Sequence, residues 1–176
     1  MNIEDFNHMA AADAIEMALT WAAIVPWAHE IVGARPYDSA AELEGFASLR
    51  AQAWTRADLD AALERHPRIG EKPSEKGAEA DASRREQSSM TDADADVTSR
   101  IAAGNAAYEA QFGRVFLIRA AGRSPAEMLS ELTRRLHNDE ETEAAEAVAQ
   151  LAEIALLRLN VALQEPAPAD SVKDAS

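Results

Sequence analysis

The chain has 176 residues, with 31 acidic and 17 basic side chains, a formal net charge of −14, 47% hydrophobic residues and no cysteine. This length suits one domain with a sizeable core, and the negative charge disfavours partners that require a basic surface, namely nucleic acids and anionic membranes. The absence of cysteine excludes disulfides, thiolate metal sites and cysteine nucleophiles, and it fits a reducing compartment.

Helical periodicity, capping residues and prolines predict seven or eight helices. Ser124-Pro125-Ala126-Glu127 is the clearest helix start, and Gly113 is suited to follow a helix end. In chain order, the predicted helices cover residues 7–32 (divided or kinked at Pro26), 39–52, 55–66, 83–90, 91–112, 124–137 and 140–163.

Two segments are predicted to lie outside helices. Val115-Phe116-Leu117-Ile118 could be a buried strand, but no second convincing strand exists to pair with it. We therefore predict a buried, extended connector whose backbone groups are available for binding. Residues 166–176 are rich in Ala, Pro, Asp and Ser and are predicted to be a disordered tail. The expected architecture is a single all-α domain over residues 1–165.

The sequence gives no sign of a membrane span or of a targeting signal. No apolar run approaches the length needed to cross a bilayer. The first residues, Met1-Asn2-Ile3-Glu4-Asp5, are acidic where a signal peptide would be basic, and the last residues do not form the Ser-Lys-Leu peroxisomal signal. We therefore expect a cytoplasmic protein.

A histidine and a set of polar side chains follow one another closely in the middle of the chain. Ser83, Glu86 and Gln87 are spaced i, i+3 and i+4, so they share one helical face, and His66 stands at a predicted helix end. An imidazole can act as a general acid or base near neutral pH, and a carboxylate such as Glu86 can fix its tautomer. The alternative is a solvated polar face and a histidine that caps the last carbonyls of its helix.

An arginine lies within the apolar part of the last predicted helix, at Arg158. It is interpreted either as a rim residue that extends its charge to solvent or as a guanidinium that holds a carboxylate or ureido group in a pocket. His8, His29 and His137 have no convincing metal-ligand spacing with acidic residues, so no metal site is predicted.

Several motifs in order resemble one family, the decarboxylases of 2-oxo-4-hydroxy-4-carboxy-5-ureidoimidazoline (OHCU), which form (S)-allantoin at the end of urate conversion. The resemblance covers roughly residues 5–163. Its motifs are Pro26-Trp27 with Arg35-Pro36-Tyr37, His66-Pro67-Arg68-Ile69-Gly70, Ser83 to Gln87, Asn105-x-x-Tyr108-x-x-x-Phe112-Gly113 with Phe116-Leu117-Ile118, Arg135-Leu136-x-Asn138, and Leu157-Arg158-Leu159.

The resemblance implies an all-α enzyme, usually a homodimer, without a metal or an organic cofactor. It implies that His66 is the catalytic acid or base and that Glu86 orients it or shares its proton. The substrate site would be lined by Pro67, Ser83, Gln87 and Arg158, together with the backbone of Ile118, Arg119, Ala120, Ala121 and Gly122. Where the family usually has Cys-Ala-Arg, this chain has Arg119-Ala120-Ala121, and Val25 stands where a serine is common.

Two other functions remain open at this point. One is a non-catalytic, acidic helical module that binds a partner. The other is a related lyase or hydrolase that acts on a different ureide, since the same polar groups could hold any similar ring.

Overall fold

The computed structural model describes residues 1–63, 68–70 and 78–164. Within these ranges the chain forms nine α-helices and a short 3-10 helix, with no strand, which confirms the all-α prediction. The bounds are α1 Ile3–His8, α2 Ala11–Trp21, α3 Val25–Gly33, α4 Ala40–Ala51, α5 Arg56–Leu63, α6 Ala78–Glu86, a 3-10 helix Ser88–Asp92, α7 Ala95–Phe112, α8 Pro125–Arg135 and α9 Glu140–Gln164.

The N-terminal region contains one helix more than the sequence predicted. The division near Pro26 is confirmed, because Ile24 is extended and the proline lies in the first turn of α3, where its missing N–H costs nothing. The additional helix, α1, begins with a capping box in which Asn2 and Asp5 each accept a backbone hydrogen bond from the other.

The other strong start and stop signals act as predicted. Ser39 caps α4 by accepting from the backbone N–H of Glu42, and Ser124 caps α8 in a complete capping box with Glu127. Gly113 ends α7 in the left-handed conformation with φ 67°, which a residue with a side chain adopts only with strain.

The helix boundaries around the candidate site differ from the prediction. The helix expected at 83–90 begins at Ala78 and ends at Glu86, and residues 88–92 turn in a 3-10 helix instead. The next helix begins at Ala95 rather than at 91, because Asp94 accepts from the N–H of Asp96 and caps it there.

The core consists of two clusters of buried side chains that share one connecting segment. In the first cluster α9 packs against α2, α4 and α5, and in the second α7 packs against α8. The connector between α7 and α8 is extended, and its side chains alternate: Leu117 enters the first cluster, while Phe116, Ile118 and Ala120 enter the second. This confirms the predicted buried connector.

Among the described residues, no helix combines the length and the apolar character needed to cross a bilayer. The predicted tail at 166–176 lies outside the described residues.

Candidate functional site

The polar face predicted for α6 lines a narrow cavity in the structure. Ser83 and Glu86 lie on α6, and Gln87 continues the same turn because its N–H donates to the carbonyl of Ser83 at 3.0 Å. We call this space the narrow cavity; its described wall is formed by Ile69, Ser83, Glu86, Gln87, Phe116, Leu117, Ile118, Ala120 and Ile154. Its volume is about 10 Å³, which is roughly the space for one water molecule.

Arg158 binds the carboxylate of Glu86 through two parallel hydrogen bonds. Its Nε donates to Oε1 at 2.7 Å, and its Nη2 donates to Oε2 at 3.0 Å. Nη2 also donates to the hydroxyl of the buried Ser83, and Nη1 donates to the carbonyl of Thr20 near the end of α2. Arg158, a residue that is only 6% exposed, thereby fixes both oxygens of Glu86 in one orientation.

A second and much larger cavity also borders this ion pair, and we call it the wide cavity. Its volume is about 720 Å³, within the range of small-molecule sites. Glu86 belongs to the walls of both cavities. The described wall of the wide cavity is formed by Asp13, Glu16, Met17, Thr20, Trp21, Ala82, Arg85, Glu86, Ala121, Leu157, Arg158, Val161 and Ala162.

The segment 68–70, which directly follows His66-Pro67 in the chain, is hydrogen-bonded to Gln87 and to α7. The N–H of Gly70 donates to Oε1 of Gln87 at 3.0 Å, and the buried amide of Asn105 donates to the carbonyl of Ile69 at 2.9 Å. Arg68 pairs with Glu109 on α7, with Nη2 2.8 Å from Oε2, and this guanidinium lowers the pKa of the Glu109 carboxyl.

The connector supplies the remaining predicted residues, but only some of them reach a cavity. Ile118 and Ala120 line the narrow cavity, and Ala121 lines the wide one. The side chain of Arg119 turns outward to Glu153 at 2.9 Å and to the carbonyl of Ala121, while its backbone N–H donates to Gln150. Gly122 is exposed in a turn with φ 80°. It does not belong to the described wall of either cavity.

His66 and Pro67 lie outside the described residues, so the expected contact between His66 and Glu86 stays a prediction. The structure adds three groups that sequence reasoning missed: the carbonyl of Thr20, the amide of Gln150 and the amide of Asn105. Of these, only Asn105 could have been found from the sequence, since it begins the family motif Asn105-x-x-Tyr108-x-x-x-Phe112-Gly113. In the described part of the chain no three histidine or acidic side chains are grouped so that they could hold a metal ion.

Comparison with known proteins gives a consistent result. A family model described as OHCU decarboxylase matches residues 7–160. The 2-oxo-4-hydroxy-4-carboxy-5-ureidoimidazoline decarboxylase of Mus musculus is 31% identical over 127 residues, which cover 71% of each protein.

Two solved structures share the fold. A crystal structure of an OHCU decarboxylase in the presence of (S)-allantoin superposes with a TM-score of 0.71 and 26% identity, covering 84% of this chain and 96% of the other. An (S)-allantoin synthase has a TM-score of 0.66 at 15% identity over 92% of this chain and 54% of the other, which shows the fold alone. From the family match and the identity to the mouse enzyme it follows that this chain belongs to the OHCU decarboxylase family.

Proposed function

We propose that this chain catalyses the decarboxylation of OHCU to (S)-allantoin. The match of the family model to residues 7–160 carries the proposal. The structure supports it independently, because Ser83, Glu86 and Gln87 line one cavity together with Ile118 and Ala120. A hydroxyl, a carboxylate, an amide and backbone groups are suited to hold the polar edges of a ureidoimidazoline ring.

The reaction needs positioning and one proton transfer. When the bond to the carboxylate breaks, CO2 leaves and the electron pair moves into the imine-conjugated ring, giving an enol-like intermediate. The protein has to hold the carboxylate out of the ring plane, stabilise the charge that develops on the ring, and deliver a proton to one face of the carbon. Protonation from a single side gives one enantiomer of allantoin.

The residues divide this work as follows in the proposal. His66 transfers the proton, and Glu86 orients it. Arg158 keeps the carboxylate of Glu86 in place through the contacts at 2.7 and 3.0 Å. Ser83, Gln87 and the connector backbone bind the ring. A heterocycle is larger than the volume of about 10 Å³ in the narrow cavity, so the proposal requires this cavity to widen when the substrate binds.

The test follows freshly generated substrate by circular dichroism with and without the protein, because the substrate also decomposes spontaneously. We expect a faster reaction and a single enantiomer when the protein is present. A rate and an enantiomer ratio equal to those of the spontaneous reaction would refute the proposed function.

Two histidine variants assign the proton transfer. His66→Asn is expected to abolish the acceleration while the far-ultraviolet circular dichroism of the folded protein is retained. His29→Asn is the matched control, since His29 is an exposed histidine on α3 and lines none of the described cavities. Parent activity and parent enantiomer in His66→Asn would contradict the assignment.

We also propose that the protein acts as a homodimer in the cytoplasm. The resemblance to the family supports the dimer, and the absence of cysteine supports a reducing compartment. Sedimentation velocity tests the dimer, and a single species at the monomer mass of 19.0 kDa would exclude it.

A further inference from the structure

A buried ion pair lies between α8 and α9, and neither of its residues belongs to the described walls of the two cavities above. Arg135 on α8 is 1% exposed and Glu143 on α9 is 0% exposed. Nε of Arg135 donates to Oε1 of Glu143 at 2.9 Å, and Nη2 donates to the same oxygen. The pair therefore joins α8 to α9 in the interior.

Each side-chain nitrogen and oxygen of this pair has at least one hydrogen-bond partner. Glu143 also accepts from the hydroxyl of Tyr108 at 2.5 Å and from the amide of Asn138 at 2.8 Å. Burial and the hydrogen bond to Glu143 raise the pKa of Tyr108, so its phenol stays protonated and remains a donor. Such a satisfied network holds its members in a single arrangement.

The remaining nitrogen of Arg135 links this network to the connector. Nη1 donates to the carbonyl of Leu117 at 2.7 Å, and the guanidinium lies over the ring of Phe116, 4.7 Å from its centroid. Phe116, Leu117 and the next residue, Ile118, all line the narrow cavity. One guanidinium thus holds the backbone of the segment that forms the narrow cavity together with Glu86 and Gln87.

Stability alone is a weak reason for this arrangement. Burying two charges is costly, and a well-packed apolar pair of similar volume is often as stable as a buried ion pair. An apolar pair, however, could not hold a backbone carbonyl. The feature that only the ion pair supplies is therefore the fixed position of the Leu117 carbonyl.

We propose that Arg135 and Glu143 are positioning residues that hold the connector backbone in the geometry the reaction requires. The inference rests on the proposed function for its catalytic consequence, although the positioning itself can be measured without substrate. Without the pair, residues 116–120 would shift, and a misplacement on the order of 1 Å can lower the rate about 100-fold.

The main test removes both charges together, because a single substitution would leave one charge buried and could prevent folding. The double variant Arg135→Met/Glu143→Met is compared with Arg135→Lys, which keeps a charge but cannot contact Glu143 and Leu117 with the same geometry. Arg134→Met is the matched control, since Arg134 is the neighbouring arginine on α8 and forms exposed pairs with Glu131 and Glu146.

Amide hydrogen exchange and steady-state kinetics are then measured on each protein. In the double variant we expect exchange at 115–120 to become about tenfold faster or more, while α4 exchanges as in the parent. We also expect kcat to fall about 10- to 100-fold, KM to rise, and the product to lose enantiomeric purity. Loss of folded protein alone would lower the apparent kcat without changing KM or, once the product of the spontaneous reaction is subtracted, the enantiomer ratio. Arg135→Lys is expected to show the same changes to a smaller extent.

Each other outcome is decisive. Parent-like exchange at 115–120 in the double variant and in Arg135→Lys would overturn the inference, whatever the activity. Faster exchange with parent KM and enantiomer ratio would show that the pair holds the connector but that the reaction does not depend on it, which also overturns it. If the parent itself accelerates nothing, the proposed function fails, while the exchange data still decide whether the pair holds the connector.

Discussion

Arg158 and Glu86 face each other in a two-point contact across 72 residues of sequence, with a side-chain exposure of 5% and 14%. Since both carboxylate oxygens accept from one planar guanidinium, Glu86 cannot rotate without breaking two charge-assisted hydrogen bonds. The predicted role of Arg158 in binding the substrate stays a prediction. Its observed contacts show that it orients an acid in the wall of the narrow cavity.

Removing this guanidinium is expected to destabilise the protein. In Arg158→Met the carboxylate of Glu86 is left mostly buried without its partner, which costs roughly 3 kcal/mol. Arg158→Met/Glu86→Gln should recover much of that loss, because no charge is left unpaired. Urea unfolding of both variants and the parent gives the comparison. Equal stability of the single variant and the parent would show that the pair contributes nothing in solution.

Gln87 is expected to serve the site through its carbonyl oxygen, which accepts the N–H of Gly70. Gln87→Met removes this acceptor, at a cost of about 1 kcal/mol, and should speed amide exchange in the segment 68–70. Gln87→Glu keeps an acceptor oxygen, so exchange should stay close to that of the parent while the NH2 donor for a substrate is lost. If both variants exchange alike, the hydrogen bond does not hold this segment.

The pair between Arg68 and Glu109 predicts a pH dependence. The pKa of Glu109 is lowered in the folded protein from its ordinary value of 4.5. Its contribution is therefore present above pH 4.5 and is lost as the pH falls through the lowered, folded value. Glu109→Gln should be less stable than the parent at pH 7, by under about 1 kcal/mol because Arg68 is well exposed, and the difference should disappear in acid. Unfolding free energies across this pH range test it, and a difference that does not change with pH would contradict it.

Gly104 is expected to be required for the packing of α7 on α8. A Cβ at this position would lie 2.6 Å from Cδ2 and 3.1 Å from Cγ of the buried Leu132. Gly104→Ala should therefore destabilise the protein by about 1–3 kcal/mol, although alanine favours the helix itself by about 1 kcal/mol. In the background Leu132→Ala the same substitution should become neutral or stabilising. A double-mutant cycle from thermal or urea unfolding measures this coupling, and additive effects would contradict it.

Local signals explain why much of the fold could be predicted from the sequence. Helix starts and ends depend on residues within one turn of the cap, so they can be predicted without knowledge of the fold. The caps at Ser39, Ser124 and Gly113 are of this kind. The missed helix α1 also had a local signal, the spacing of Asn2 and Asp5, which forms its capping box.

Only part of the candidate site could be predicted from the sequence, because most of its contacts join residues that are far apart in the chain. The shared face of Ser83, Glu86 and Gln87 follows from helical spacing, but their partners do not. Arg158 reaches Glu86 from α9, and Gln87 meets Gly70 only through the course of the segment 68–70. The sequence also left undecided whether Arg119 has a side-chain role, and in the structure its guanidinium turns to Glu153 on the surface. Such contacts depend on how distant helices pack, which one sequence does not specify.

The alternation of side chains along the connector has a consequence for how the molecule responds to change. Leu117 is anchored among the helices around α9, and its neighbours Phe116 and Ile118 are anchored between α7 and α8. The two core clusters therefore share one segment of backbone. A change in the packing of one cluster should displace this segment and so disturb the packing of the other. Substitutions deep in the N-terminal half should consequently alter the chemistry of a cavity that they never touch.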